Sequence, residues 1–140
     1  MYEDNYETCR ETFVTFRIYF DEIHPEEITK ILQIEPNNFQ VKGEPFHDSK
    51  KSKALAKLNG WFLTSEELVN SKDSRRHLDY ILDKILPVKE KIDNLVKKGA
   101  TINLDCFWAT EQGHGGPILS IEQINKLAEI GLEFSYDFYG

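Results

Sequence analysis

Apolar and polar positions alternate from Thr12 to Phe20, with Val14, Phe16, Ile18 and Phe20 on one side and Thr15, Arg17 and Tyr19 on the other. A period of two predicts a strand with one buried face. The pattern then changes. Pro25 at a first helical position, followed by Glu26 and Glu27, opens a short helix whose Ile28, Ile31 and Leu32 share a face and which ends before Pro36. Residues Asn37 to Asn59 are polar, basic and broken by Gly and Pro, so they read as a loop with a short strand around Phe39 to Val41; Trp61-Phe62-Leu63 reads as a strand. Ser74 is placed to cap a long helix in which Leu78, Ile81, Leu82 and Ile85 make one stripe, continued by Val88, Ile92, Leu95 and Val96. Pro87 must kink or divide it. Beyond Gly99, a natural C-terminal cap, Ile102, Leu104, Cys106 and Trp108 alternate with Thr101, Asn103, Asp105 and Phe107 as a second strand. Ser120 and Gln123 form a capping box for a helix expected to turn Ile121, Ile124, Leu127 and Ala128 inward, and Leu132 to Tyr139 closes the chain as a strand.

Glu26-Glu27-Ile28-Thr29-Lys30-Ile31 echoes Glu122-Gln123-Ile124-Asn125-Lys126-Leu127, and both follow an alternating strand ending in an aromatic. Two pseudo-repeated strand-helix-strand units, joined by the long kinked helix, predict an α+β, ferredoxin-like sheet with its helices packed on one face. The long insert in place of a tight hairpin leaves a more parallel α/β sheet as the alternative.

The 140 residues suit one domain, 1–140, with residues 1–11 as a polar N-terminal extension; 40% apolar and 12% aromatic content exceeds that of a disordered chain. A net charge of -7 opposes a phosphate backbone, so nucleic acid is not an expected partner. Two cysteines, Cys9 and Cys106, make no disulfide framework or metal knuckle. With no signal-like N-terminus and no apolar run of membrane-spanning length, a cytoplasmic setting is expected.

Phe16-Arg17-Ile18, Pro25-Glu26-Glu27-Ile28-Thr29, Leu32-Gln33-Ile34-Glu35-Pro36, Gly43, Gly60-Trp61, His77-Leu78, Pro87, Leu119-Ser120 and Asp137-Phe138-Tyr139 follow in a recognisable order. From Thr12 to Tyr139 the chain resembles the bacterial domain of unknown function 4279 family. The resemblance implies a bacterial source and supplies a fold expectation, with no catalytic or ligand residue to carry over.

The four histidines, His24, His47, His77 and His114, lie in separate elements without a paired metal-ligand spacing, and no metal or cofactor is expected. His47-Asp48 beside Glu44 reads as a solvated loop. Gly113-His114-Gly115-Gly116 precedes a helix start, where amides can hold an anion, but it matches neither a P-loop nor a dinucleotide fingerprint and reads first as a connector. Cys106 faces the core with Leu104 and Trp108, and no serine occupies a nucleophile elbow, so no catalytic set is legible. The stretch from Lys42 to Lys57 has five lysines against two acids and reads as a solvated basic loop. Trp61 and Trp108 are expected in the core.

The remaining feature is the sheet face turned from the helices, where alternation collects Arg17, Tyr19, Asp105, Phe107, Asp137 and Tyr139. In ferredoxin-like order Arg17 would have Asp105 and Asp137 as cross-strand partners. Aromatics interleaved with charge resemble interface composition, so this face is expected to bind a protein partner or a second copy of the chain. The functional expectation is a non-catalytic protein-interaction domain, with toxin neutralisation, as by small acidic immunity proteins, as one form of it. A small-ligand sensor using the Gly113 to Gly116 loop is the alternative.

Overall fold

A computed structural model describes residues 1–46 and 54–140. His47 and Asp48, and the lysines Lys50, Lys51 and Lys53 of the basic stretch, lie outside the described residues. The elements are β1 (Cys9–Phe20), α1 (Pro25–Leu32), β2 (Asn38–Gln40), β3 (Asn59–Thr64), α2 (Ser74–Ile85), α3 (Lys89–Lys97), β4 (Thr101–Thr110), α4 (Ile121–Ile130) and β5 (Ser135–Tyr139). The five strands form one mixed sheet in the order β2-β3-β1-β4-β5. β2 pairs antiparallel with β3, whereas β5 pairs parallel with β4.

This order corrects one expectation. β1 has β3 and β4 as neighbours, and β5 sits at the sheet edge beside β4 alone, so Asp137 is not a cross-strand partner of Arg17. The physical reason is that residues 59–64 form a full strand, anchored by β2, and occupy the position next to β1 that the four-strand scheme reserved for β5.

The chain divides into two compact units, the first comprising Met1–Phe16, Thr64–Pro87 and Asn103–Gly140, the second Arg17–Leu63 and Val88–Ile102. In the first unit Val14, Phe16, Leu104, Cys106 and Trp108 are buried while Phe13, Asp105 and Phe107 stay half-exposed, so one sheet face is covered; Thr15 and Ala109 are the buried exceptions to the alternation. Buried Leu78, Ile81, Leu82 and Ile85 are spaced i, i+3, i+4, i+7 on α2. Thr8 O accepts from Glu111 N and Thr12 Oγ1 donates to Phe107 O, so the two strands run in opposite directions. β1 begins at Cys9 rather than Thr12, and Cys9 is 1% exposed; the polar extension therefore ends inside the sheet.

In the second unit α1 buries Pro25, Ile28 and Leu32, and α3 buries Ile92 and Leu95. Trp61 is buried and its indole donates to Thr29 Oγ1 at 3.0 Å. Between α2 and α3 the chain makes a single 3-10 turn, Leu86–Val88, because Pro87 has no N–H to continue the helical ladder. Asp73, not Ser74, caps α2. The α4 face also differs from expectation: Ile121 and Ile124 are 68% and 46% exposed and Ala128 is exposed, whereas Gln123 and Ile130 are buried. α4 seats against α2, and what α2 presents to it is polar, so Gln123 rather than an isoleucine turns inward.

Candidate functional site

Residues 103–140 supply most of the half-open sheet face. The parallel register sets Asp105 opposite Ser135, Phe107 opposite Asp137 and Ala109 opposite Tyr139. Because side chains alternate along each strand, Phe107 and Tyr139 meet on one face, their ring centroids 4.9 Å apart. Phe13 of β1 stacks on Phe107, 4.8 Å away with the ring planes nearly parallel at 10°. Three strands thus contribute one ring each to a continuous row, flanked by Asp105 and by exposed Asp137. Phe13 was not singled out in the sequence, although it shares the parity of Thr15, Arg17 and Tyr19. Arg17 and Tyr19 belong to the second unit, where the Tyr19 ring meets Phe62 edge-on at 5.5 Å.

The covered side of the same unit holds a polar cluster that periodicity did not reveal. Asp73 is fully buried and accepts from Arg75 Nη2 at 2.7 Å, Arg75 N at 3.0 Å and Glu3 N at 2.7 Å. Burial alone would push this carboxyl up; the Arg75, Glu3 N–H and Arg75 N–H hydrogen bonds outweigh it and hold the group below its ordinary value. Arg75 continues to Ser120 Oγ at 2.8 Å and Met1 O at 3.0 Å. One turn along α2, Asp79 accepts from Gln123 Nε2 at 2.9 Å, Lys126 Nζ at 3.1 Å and the Tyr2 hydroxyl. Burial and that carboxylate push the Tyr2 phenol up to about 12. The signal was present as Arg75 and Asp79 four apart on one helix and Gln123 and Lys126 three apart on the other.

Among the described residues, Ser65 and His77 make a hydrogen-bonded serine-histidine pair of the kind found in catalytic sites. His77 Nε2 lies 2.8 Å from the Ser71 carbonyl, which can only accept, so Nε2 carries the proton. Nδ1 then accepts from Ser65 Oγ at 2.6 Å, and that oxygen accepts from Val14 N at 2.9 Å. Burial pushes the imidazole below its ordinary value, which keeps it neutral. Ser65 is 0% exposed, and through Val14 N and His77 it ties the residue after β3 to β1 and α2. Cys9 and Cys106 are free and buried; burial pushes the Cys106 thiol up to about 12, far from a reactive thiolate.

The glycine-rich turn is pinned internally: Thr110 Oγ1 accepts from Gly113 N at 3.1 Å and donates to His114 O at 2.8 Å. The α4 start is capped by its own box, Ser120 N donating to Gln123 Oε1 at 3.1 Å. Both observations favour the connector reading over an anion cradle. Among the described residues no three His, Cys, Asp or Glu side chains converge on a metal position, and no helix is long and apolar enough to cross a membrane. No curated protein and no solved structure matches the chain. One family model does, over residues 8–140, and the chain that pairs this aromatic row with a buried polar cluster therefore belongs to the family described as Domain of unknown function (DUF4279).

Proposed function

We propose that the chain is a non-catalytic interaction domain that binds a cationic protein through the open face formed by Phe13, Phe107, Asp137 and Tyr139. The observation that carries this reading is a row of rings on a strongly acidic unit. The first unit has fifteen acidic side chains against six basic ones, a net of -9, while the second has nine against eleven, a net of +2. Stacked rings supply rigid anchors, and the surrounding carboxylates steer and select a basic partner. Like charge disfavours a second copy of the same face. Neutralising a basic toxin, such as a nuclease, is one function that such a face serves, in a cytoplasmic bacterial setting. We read the order β2-β3-β1-β4 as a ferredoxin-like core to which α4 and β5 are appended.

The test is a selection of displayed peptides rich in arginine and aromatic residues on the wild-type chain, followed by binding to Phe107→Ser and Asp137→Lys. Recovered binders should lose at least about tenfold in affinity on either variant, equivalent to about 1.4 kcal/mol, and weaken with salt. Binders indifferent to both variants would remove this face from consideration. Concentration-dependent dimerisation in sedimentation, abolished by the same variants, would replace the cationic partner with a second copy.

A further inference from the structure

Residues 1–5 lie on the surface of the first unit with no side chain among them buried, yet their backbone and two of their side chains are held by specific partners. Arg75 Nη2 donates to Met1 O at 3.0 Å and Asp73 accepts from Glu3 N at 2.7 Å, so one buried ion pair holds the main chain on both sides of Tyr2. The Tyr2 hydroxyl donates to Asp79, and the centre of its ring lies 5.7 Å from the Arg76 guanidinium. Two positions on, the Asp4 carboxylate accepts from Arg76 Nη1 at 2.9 Å and the Asp4 carbonyl from Lys72 N at 2.9 Å. Capture of the main chain by a fixed pair, with separate partners for one phenol and one carboxylate, is the way an extended peptide is recognised.

The receiving side is built and stays paired without its occupant. Asp73, Arg75 and Asp79 are 0%, 9% and 8% exposed. Asp73 keeps its bonds to the Arg75 guanidinium, and Asp79 keeps Gln123 and Lys126, so departure of residues 1–5 leaves none of these buried charges alone. The segment itself is held by polar contacts at an exposed surface, and such contacts open at low cost. Firm anchorage begins at Tyr6, which is half-buried and donates its hydroxyl to Gly116 O at 2.8 Å. The family match starts at residue 8, so the receiving residues lie within the family's domain and the segment that fills the groove lies outside it.

We infer that this groove is a binding site for an extended Tyr-x-Asp segment of another protein, occupied in cis by residues 1–5 until such a segment displaces them. A second copy of the chain is not the occupant. Each copy already holds its own segment in place at an effective concentration of about millimolar, and exchanging it for an identical one gains no contact. The groove lies on the covered side of the sheet, away from the open face, and does not rest on the docking proposal.

The test is a titration of the full, ¹⁵N-labelled chain with a peptide of the sequence of residues 1–5, and with peptides in which Phe replaces its tyrosine or Asn its aspartate. The Arg75 Nε–H and Gln123 side-chain amide resonances report on the groove. The wild type is compared with Tyr2→Ala/Asp4→Ala, two exposed positions whose change loosens the cis segment and leaves the groove walls intact. The double variant should bind the peptide at least about tenfold more tightly than the wild type, with saturable movement of both resonances. Tyr2→Phe, which removes only the hydroxyl, should show the same change to a smaller degree. The Phe peptide should bind the double variant at least about tenfold more weakly than the unaltered peptide, and the Asn peptide, which loses an exposed ion pair, about two- to fivefold more weakly. A folded variant whose Arg75 and Gln123 resonances stay still overturns the inference, as does equal binding of the Phe peptide. Concentration-dependent dimerisation of the wild type in sedimentation, abolished in the double variant, would overturn it in favour of arm exchange between copies.

Discussion

The two units bury opposite chemistries beneath similar helices. α1 and α3 cover the second unit with Pro25, Ile28, Leu32, Ile92 and Leu95. α2 in the first unit buries Asp73, Arg75, His77 and Asp79 beside its leucines and isoleucines, and α4 meets it through Gln123 and Lys126. An apolar layer gains stability from area removed from water and tolerates approximate geometry. A buried polar layer holds only while every partner is present, since a carboxylate or guanidinium left alone in the interior costs far more than the pair contributes. The first unit should therefore be sensitive to single polar changes and to acid, and the second to lost volume.

The largest effect should come from Asp73→Ala, which strands Arg75 and removes the α2 cap and the Glu3 N–H acceptor. We expect a loss of about 3 to 5 kcal/mol in denaturant unfolding at neutral pH. A loss under about 1 kcal/mol, a typical surface value, would mean that the cluster contributes no more than exposed pairs do. Next, Leu32→Ala in the second unit should cost about 2 to 5 kcal/mol through the cavity it opens, with the same cost at pH 7 and pH 5; a pH-dependent cost would blur the contrast between the units.

His77→Leu should cost about 1 to 3 kcal/mol by leaving Ser65 Oγ and the Ser71 carbonyl unpaired. It should also alter the acid response. The folded imidazole is held below its ordinary value of 6.5 by burial, so below pH 6.5 the unfolded chain takes the proton first. The stability tied to His77 is thus complete above pH 6.5 and is lost as the pH falls through the folded value. Asp73, also depressed, adds a second decline that begins only below its ordinary value of 3.8. Melting temperatures from pH 7.5 to 4.5 should fall in the wild type and flatten in His77→Leu; parallel curves would place the acid sensitivity elsewhere. The smallest effect is expected at Ile124→Ala, within about 0.5 kcal/mol, since its side chain is largely exposed. A cost like that of Leu32 would restore the inward face first expected for α4.

Much of the secondary structure is legible in the chain because it is local. Alternation through Phe16 and Ile18 and again through Leu104 and Cys106 defines β1 and β4, and the missing N–H of Pro87 divides α2 from α3. The same alternation assigns Phe107 and Tyr139 to one sheet face before any coordinates are known. Tertiary structure alone decided which strands are neighbours. Pairing joins residues far apart in sequence, and an echo between two helices says nothing about which edge β5 occupies, so Asp137 lies beside Phe107 and not beside Arg17. It also decided the inward face of α4, because hydropathy ranks Ile124 above Gln123 and cannot anticipate that Asp79 waits on the facing helix for a donor. The indole N–H of Trp108, buried without a hydrogen-bond partner, belongs to the same class: burial of a tryptophan follows from its strand, but whether its N–H finds an acceptor depends on what the fold brings within hydrogen-bond distance.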